Sequence, residues 1–265
     1  MRLSREGSQT IWYDDAGQGD AVILLHSALG DHRQWNPQWE TLQKHFRVTR
    51  YDARGYGRSS DADGPIDPAD DLLALLDHLK LERAHLVGSS MGGTTALHAA
   101  LSFPHRVGKI ALMGTGILGF DPDALESSIP LDIEEAYHRA ISEGDHEALI
   151  DVSETIWLVG IEGTNRDVPE SARMLFRTMN REQLTLHPPG GPEYLPGRDV
   201  ERLEHLKTPT LVIIGDRDTA YCRRAAEILA ARAPQVQLHT MSAGHFPNLT
   251  RPDEVSAVLM DFLHR

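Results

Sequence analysis

An α/β architecture, with a mostly parallel sheet covered by helices on both faces, is the fold class that this 265-residue sequence predicts. Three observations carry it. Short continuous apolar runs of strand length recur along the chain, helix-like stretches separate them, and one long segment of different composition interrupts the alternation.

In chain order, residues 2–6 and 9–14 (Q-T-I-W-Y-D) read as an opening antiparallel hairpin around Gly7-Ser8. Residues 21–26 (A-V-I-L-L-H) are continuously apolar, as a strand buried on both faces requires. Residues 46–52, 84–88, 107–113, 210–215 and 236–241 share its length and flanks. Helices are expected between them over residues 34–45, 69–79, 94–103, 223–232 and 253–263. The alternation breaks over residues 117–199, which read as helices, for example 133–142 and 170–179, followed by a Pro/Gly-rich return, P-P-G-G-P-E-Y-L-P-G. The expected organisation is a core of residues 1–116 and 200–265, with a mainly helical cap, residues 117–199, inserted after one strand.

Charge marks out the same segment. Residues 117–199 hold 17 Asp/Glu, 6 Arg and no Lys, a net of −11 out of −13 for the whole chain. This predicts a negative potential around a pocket entrance and a handicap for anionic substrates. The overall charge also argues against nucleic acid and anionic membrane as partners. No apolar run approaches the roughly 20 residues of a membrane span, and the N-terminus has no hydrophobic signal core. Cys222 is the single cysteine, which excludes an internal disulfide, argues against a cysteine-based metal site, and favours a cytoplasmic setting.

The chemistry-bearing stretch is V-G-S-S-M-G-G, residues 87–93, between a predicted strand and a predicted helix. G-x-S-x-G in that context is a sharp turn that lifts one side chain clear of the sheet, with glycines where any Cβ would collide. The spacing puts Ser90 at the tip and makes Ser89 the spacer. A serine needs a base, and His245 in A-G-H-F-P follows the last predicted strand, whereas His78 and His138 fall on predicted helices. The base needs a carboxylate. G-D-R-D after residues 210–214 offers Asp216, placed to cap a turn, and Asp218, placed to reach inward and favoured here. The order Ser90, Asp218, His245 is that of the α/β-hydrolase triad.

On these motifs the chain resembles the α/β-hydrolase fold, implying an eight-stranded, mostly parallel sheet with helices on both faces and an inserted helical cap. The resemblance implies an oxyanion hole made by the backbone N–H groups of Met91 and of Ala28 in H-S-A-L-G (residues 26–30), where Ser27 replaces the family's usual glycine. Y-D-A-R-G-Y-G-R-S (residues 51–59) reads as structural, with Asp52 and Arg54 locking a tight loop. Within the family the core resembles 3-oxoadipate enol-lactonases and small carboxylesterases. The implied activity is cofactor-independent, metal-free hydrolysis of a small ester or lactone through an acyl-enzyme.

Two alternatives stay open. One is a C–C bond hydrolase using the same triad, although S-A-L-G-D-H lacks the glycine-rich G-x-G-P-G loop common in those relatives. The other is a non-catalytic ligand receptor on this fold, although all three triad positions are filled. For the pocket the candidates are Trp157, Phe176 and Leu118. The stripe Ala172/Leu175/Phe176/Met179 reads either as pocket wall or as packing between cap and core.

Overall fold

The computed structural model describes residues 1–5, 9–121, 129–187 and 191–265. The expected turn at Gly7-Ser8 and the start of the Pro/Gly-rich return therefore lie outside the described residues. Eight strands form one sheet in the order β1-β2-β4-β3-β5-β6-β7-β8. They are β1 (Arg2–Ser4), β2 (Thr10–Ala16), β3 (Ala21–Leu25), β4 (Arg47–Tyr51), β5 (Ala84–Ser89), β6 (Val107–Met113), β7 (Thr210–Gly215) and β8 (Val236–Met241). β1 and β2 pair antiparallel, as does β2 with β4, and every later pairing is parallel.

The apolar runs are continuous because both faces of the central strands are covered. Ile23, Leu25, Leu86, Ile110, Leu112, Val212 and Ile214 pack on one side, with helices α2 (Asp70–His78), α3 (Met91–Ser102) and α7 (Ala220–Arg232). Val22, Leu24, Val87, Ala111, Met113, Leu211 and Ile213 pack on the other, with α1 (Asn36–Leu42) and α9 (Pro252–His264). Successive side chains of a strand point to opposite faces, so each run supplies both cores at once. β8 differs from the expectation of a strand buried on both faces: it is an edge strand, and Leu238 is exposed.

Between β6 and β7 the chain leaves the sheet and runs through α4 (Leu131–Glu143), α5 (His146–Ser153), a π-helical turn Glu154–Val159, and α6 (Glu170–Leu186). α5 was not foreseen; its N-terminus is set by Asp145, whose side chain accepts the Ala148 N–H at 3.0 Å. A short helix α8 (Pro247–Thr250) precedes α9. No described helix is long and apolar enough to cross a membrane.

Candidate active site

The carboxyl ends of β3, β5, β6, β7 and β8 converge on one edge of the sheet, where ligands of open α/β sheets sit. Ser90 follows β5 directly and stands at the N-cap of α3. Its φ of +52° and ψ of −114° are sparsely populated for any residue with a Cβ. The surroundings impose this conformation. A Cβ on Gly92 would lie 2.3 Å from the Leu25 carbonyl oxygen, and one on Gly88 equally close to the Gly92 carbonyl oxygen, so only glycines let α3 press this tightly against β3 and β5. The Ser90 N–H donates to the Met113 carbonyl at 2.7 Å, tying the turn to β6. Met91 opens the helix, so its N–H has no intrahelical acceptor.

Asp218 and His245 come from the loops after β7 and β8. The His245 Nδ1–H donates to Asp218, 2.9 Å from Oδ1 and 3.0 Å from Oδ2, and the Thr219 N–H donates to Oδ1 at 2.7 Å. Both side chains are buried. Burial disfavours the charged imidazole, but the Asp218 carboxylate outweighs it and holds His245 well above the usual histidine pKa. An imidazolium formed by proton transfer is thereby stabilised. Gly114, at the end of β6, has φ +54°, and a Cβ there would come 2.7 Å from His245 Nδ1 and 3.0 Å from Asp218 Oδ2. Asp216 instead accepts the Ala243 N–H at 3.1 Å and is half exposed.

Ser90, Met91 and His245 share a cavity of about 350 Å³ with Leu118, Trp157, Ile117, Thr94, Tyr221 and Cys222. Trp157 is held there by the π-helical turn. Its carbonyl accepts the His245 N–H at 2.8 Å, and its ring lies 5.0 Å from the imidazole. Phe176 departs from expectation. It is fully buried and packs on Phe246 with Leu158, Ala172, Met179 and Leu249, away from the cavity. The stripe on α6 is apolar because it seats that helix against the residues that follow His245.

Ala28 is exposed and lines a second cavity of about 220 Å³, together with Leu29, Tyr56, Ile150, Asn180 and Leu184. The loop carrying it is held from behind. The Ser27 N–H donates to Gln34 Oε1 at 2.9 Å, and Asn180 Nδ2 donates to the Leu29 carbonyl at 3.0 Å. The Ala53 N–H donates to His26 Nε2 at 3.0 Å, so Nδ1 carries the proton and donates to the Ser27 carbonyl at 2.8 Å. In the adjoining loop, Asp52 accepts from His32 N–H (2.7 Å), His32 Nδ1–H (2.8 Å) and Arg58 N–H (2.9 Å), while Arg54 pairs with Asp71 at 2.5 Å.

Sequence reasoning missed Thr94, Tyr221 and Cys222 as cavity residues. A signal existed: Thr94 is one helical turn beyond Ser90, and Tyr221 and Cys222 stand three and four residues beyond Asp218. No Lys or Arg is among the described residues lining either cavity.

Residues 22–258 match the model of a family described as the Alpha/beta hydrolase family. A 2-hydroxy-6-oxo-6-phenylhexa-2,4-dienoate hydrolase of Burkholderia cepacia is 30% identical over 273 residues, covering 96% of this chain and 91% of that one. The enol-lactonase from Burkholderia xenovorans LB400 superposes with a TM-score of 0.77 at 25% identity, covering both chains completely. A thermophilic esterase from Thermogutta terrifontis superposes with a TM-score of 0.75 at 27% identity, covering 100% of this chain and 98% of that one.

Proposed function

The chain belongs to the alpha/beta hydrolase family, and from that membership we propose that it is a serine hydrolase of uncharged carboxylic esters or lactones. Ser90 Oγ attacks the substrate carbonyl and passes its proton to His245, which Asp218 orients and stabilises as the imidazolium. The backbone N–H groups of Met91 and Ala28 hold the oxyanion of the tetrahedral intermediate. His245 protonates the departing alkoxide, leaving an acyl group on Ser90. It then takes a proton from water, whose oxygen attacks the acyl carbon and releases the acid. Leu118 and Trp157 contact the substrate.

The observation that carries this reading is the Ser90 side chain, held at positive φ on the wall of a cavity it shares with an aspartate-bound histidine. A substrate without a carboxylate is supported by the lining, which among the described residues offers no cation to pair with one. The test is turnover of a graded series of p-nitrophenyl esters and lactones, with mass-spectrometric location of an organophosphate adduct. An adduct on Ser90 with ester turnover supports the reading; labelling elsewhere, or none, overturns it.

A second reading, C–C bond hydrolysis by the same residues, is favoured by the 30% identity to the dienoate hydrolase. The substrate in that relative's name is a carboxylate, which this lining does not favour. Assaying such a dienoate beside a neutral ester separates the two.

A further inference from the structure

Cys222 has no part in the proposed acyl transfer, yet it stands beside the groups that do. It lies in the first turn of α7, four residues after Asp218, with Sγ donating to the Gly114 carbonyl at 3.4 Å and its side chain in the wall of the Ser90 cavity. A carboxylate oxygen of Asp218, the sulfur of Cys222 and a ring nitrogen of His245 all lie within 4.8 Å of one another. The lone cysteine argues against a metal site built from cysteines; the fold supplies a carboxylate and an imidazole instead.

These are the three donor types that zinc takes in proteins. Bonds of about 2.0 to 2.3 Å in tetrahedral geometry set donors roughly 3.3 to 3.8 Å apart, so small side-chain rotations close this triangle. Charge balance fits as well, because one thiolate and one carboxylate neutralise a dication in a buried place. Cys222 and His245 both line the cavity, which supplies the entry path. A second buried triangle, Asp31, His32 and Asp52, differs in both respects. It has no sulfur, and Asp31 is already paired with the Arg33 guanidinium at 2.5 Å.

We infer that Asp218, Cys222 and His245 form an inhibitory site for a thiophilic divalent cation such as zinc. The cation sheds water and forms bonds to sulfur, nitrogen and oxygen. The thiol proton passes to solvent; if the cation takes Nδ1, the ring proton moves to Nε2, and nothing is oxidised or reduced. While the cation is bound His245 is unable to accept the Ser90 proton, and a chelator restores the free base. Binding stands independently of the proposed hydrolase activity; only the inhibition rests on it.

The experiment uses Co²⁺ as a spectroscopic probe and Zn²⁺ as inhibitor. With one cysteine in the chain, any thiolate-to-Co²⁺ charge-transfer band belongs to Cys222. The band is expected at one equivalent of Co²⁺ in the wild type and in Ser90→Ala, displaced by Zn²⁺, and absent in Cys222→Ser and Cys222→Ala. Zinc inhibition of ester turnover, relative to each variant's own metal-free rate, is expected to weaken at least about 100-fold without the sulfur, since even outer partners of metal ligands are worth 10- to 100-fold. Cobalt binding without the band, or equal inhibition in the cysteine variants, places the metal at a surface histidine and overturns the site. A band in Ser90→Ala with no wild-type ester turnover supports the metal site and counts against the hydrolase reading.

Discussion

Ser89 and Ser90 are neighbours in the chain and opposites in environment. Ser89 is wholly buried at the end of β5, and its Oγ has no hydrogen-bond partner among the described residues; Ser90, one residue on, reaches the cavity. Ser89→Ala is therefore expected to keep full activity and to gain about 1 kcal/mol of stability, by removing an unsatisfied buried hydroxyl. Ser90→Ala is expected to lower turnover by about 10⁴ to 10⁶. Ester kinetics and thermal melts of the two variants check both statements, and the reverse pattern of activity loss would show that the nucleophile is misassigned.

The two aspartates after β7 separate in the same way. Asp218→Asn is expected to leave the fold intact and to lower turnover by on the order of 10³ to 10⁴, because the amide holds His245 in the wrong tautomer. Asp216→Asn weakens the bond to the Ala243 N–H and the 3.5 Å pairing with Arg217, and is expected to cost about 1 kcal/mol with little change in turnover. Comparing kcat and Tm for both variants is the check.

Two histidines outside the Ser90 cavity, His26 buried and His98 partly buried, give stability opposite pH slopes. The hydrogen bond to Asp199 raises the pKa of His98, so its contribution is full below pH 6.5 and is lost as pH rises through the raised value. Burial lowers the pKa of His26, whose ring accepts the Ala53 N–H, so its contribution is full above pH 6.5 and is lost as pH falls through the lowered value. On acidification the Tm gap between wild type and His98→Asn is expected to widen, and that between wild type and His26→Asn to narrow. Melts across neutral to mildly acidic pH test both signs.

A matched pair of esters, one neutral and one bearing a carboxylate, tests the charge argument. Arg177 pairs with Asp151 at 2.6 Å, Arg181 with Glu147 at 2.7 Å, Arg198 with Glu201 at 2.5 Å, and Arg173 with Glu154. The neutral ester is expected to have the higher kcat/KM, with the gap shrinking as salt screens beyond about 8 Å. Preference for the anionic ester at low salt would require an arginine at the cavity.

The parts of this molecule legible in the sequence are those set by local geometry or continuous burial. β7 reads as six buried residues because it has a neighbour on each edge and a helix layer on each face. Ser90 was legible because the glycines around it have one structural use. Phe176 was not, because a helical stripe reports that a face is apolar and not what covers it. Neither was the partnering of the acidic segment: a count of 17 acids against 6 arginines does not show that three of the arginines are spread along one side of α6 against Glu147, Asp151 and Glu154. Cys222 became meaningful only once α7 was packed against Gly114.

The excursion between Met113 and Thr210 bears on how readily the protein can acquire new specificity. Loop-closure entropy grows only logarithmically, about 0.6 kcal/mol for each doubling of length, so the sheet is nearly indifferent to how much chain is spliced in there. Asp218 and His245 are anchored on strands outside it, and the Ser90 turn precedes it. A foreign insert would therefore leave the site standing if it preserved three connections: the Trp157 carbonyl that receives the His245 N–H, the Phe176 ring that braces Phe246, and the Asn180 amide that donates to the Leu29 carbonyl. Those three residues are the adaptor through which a replacement segment would plug into this scaffold.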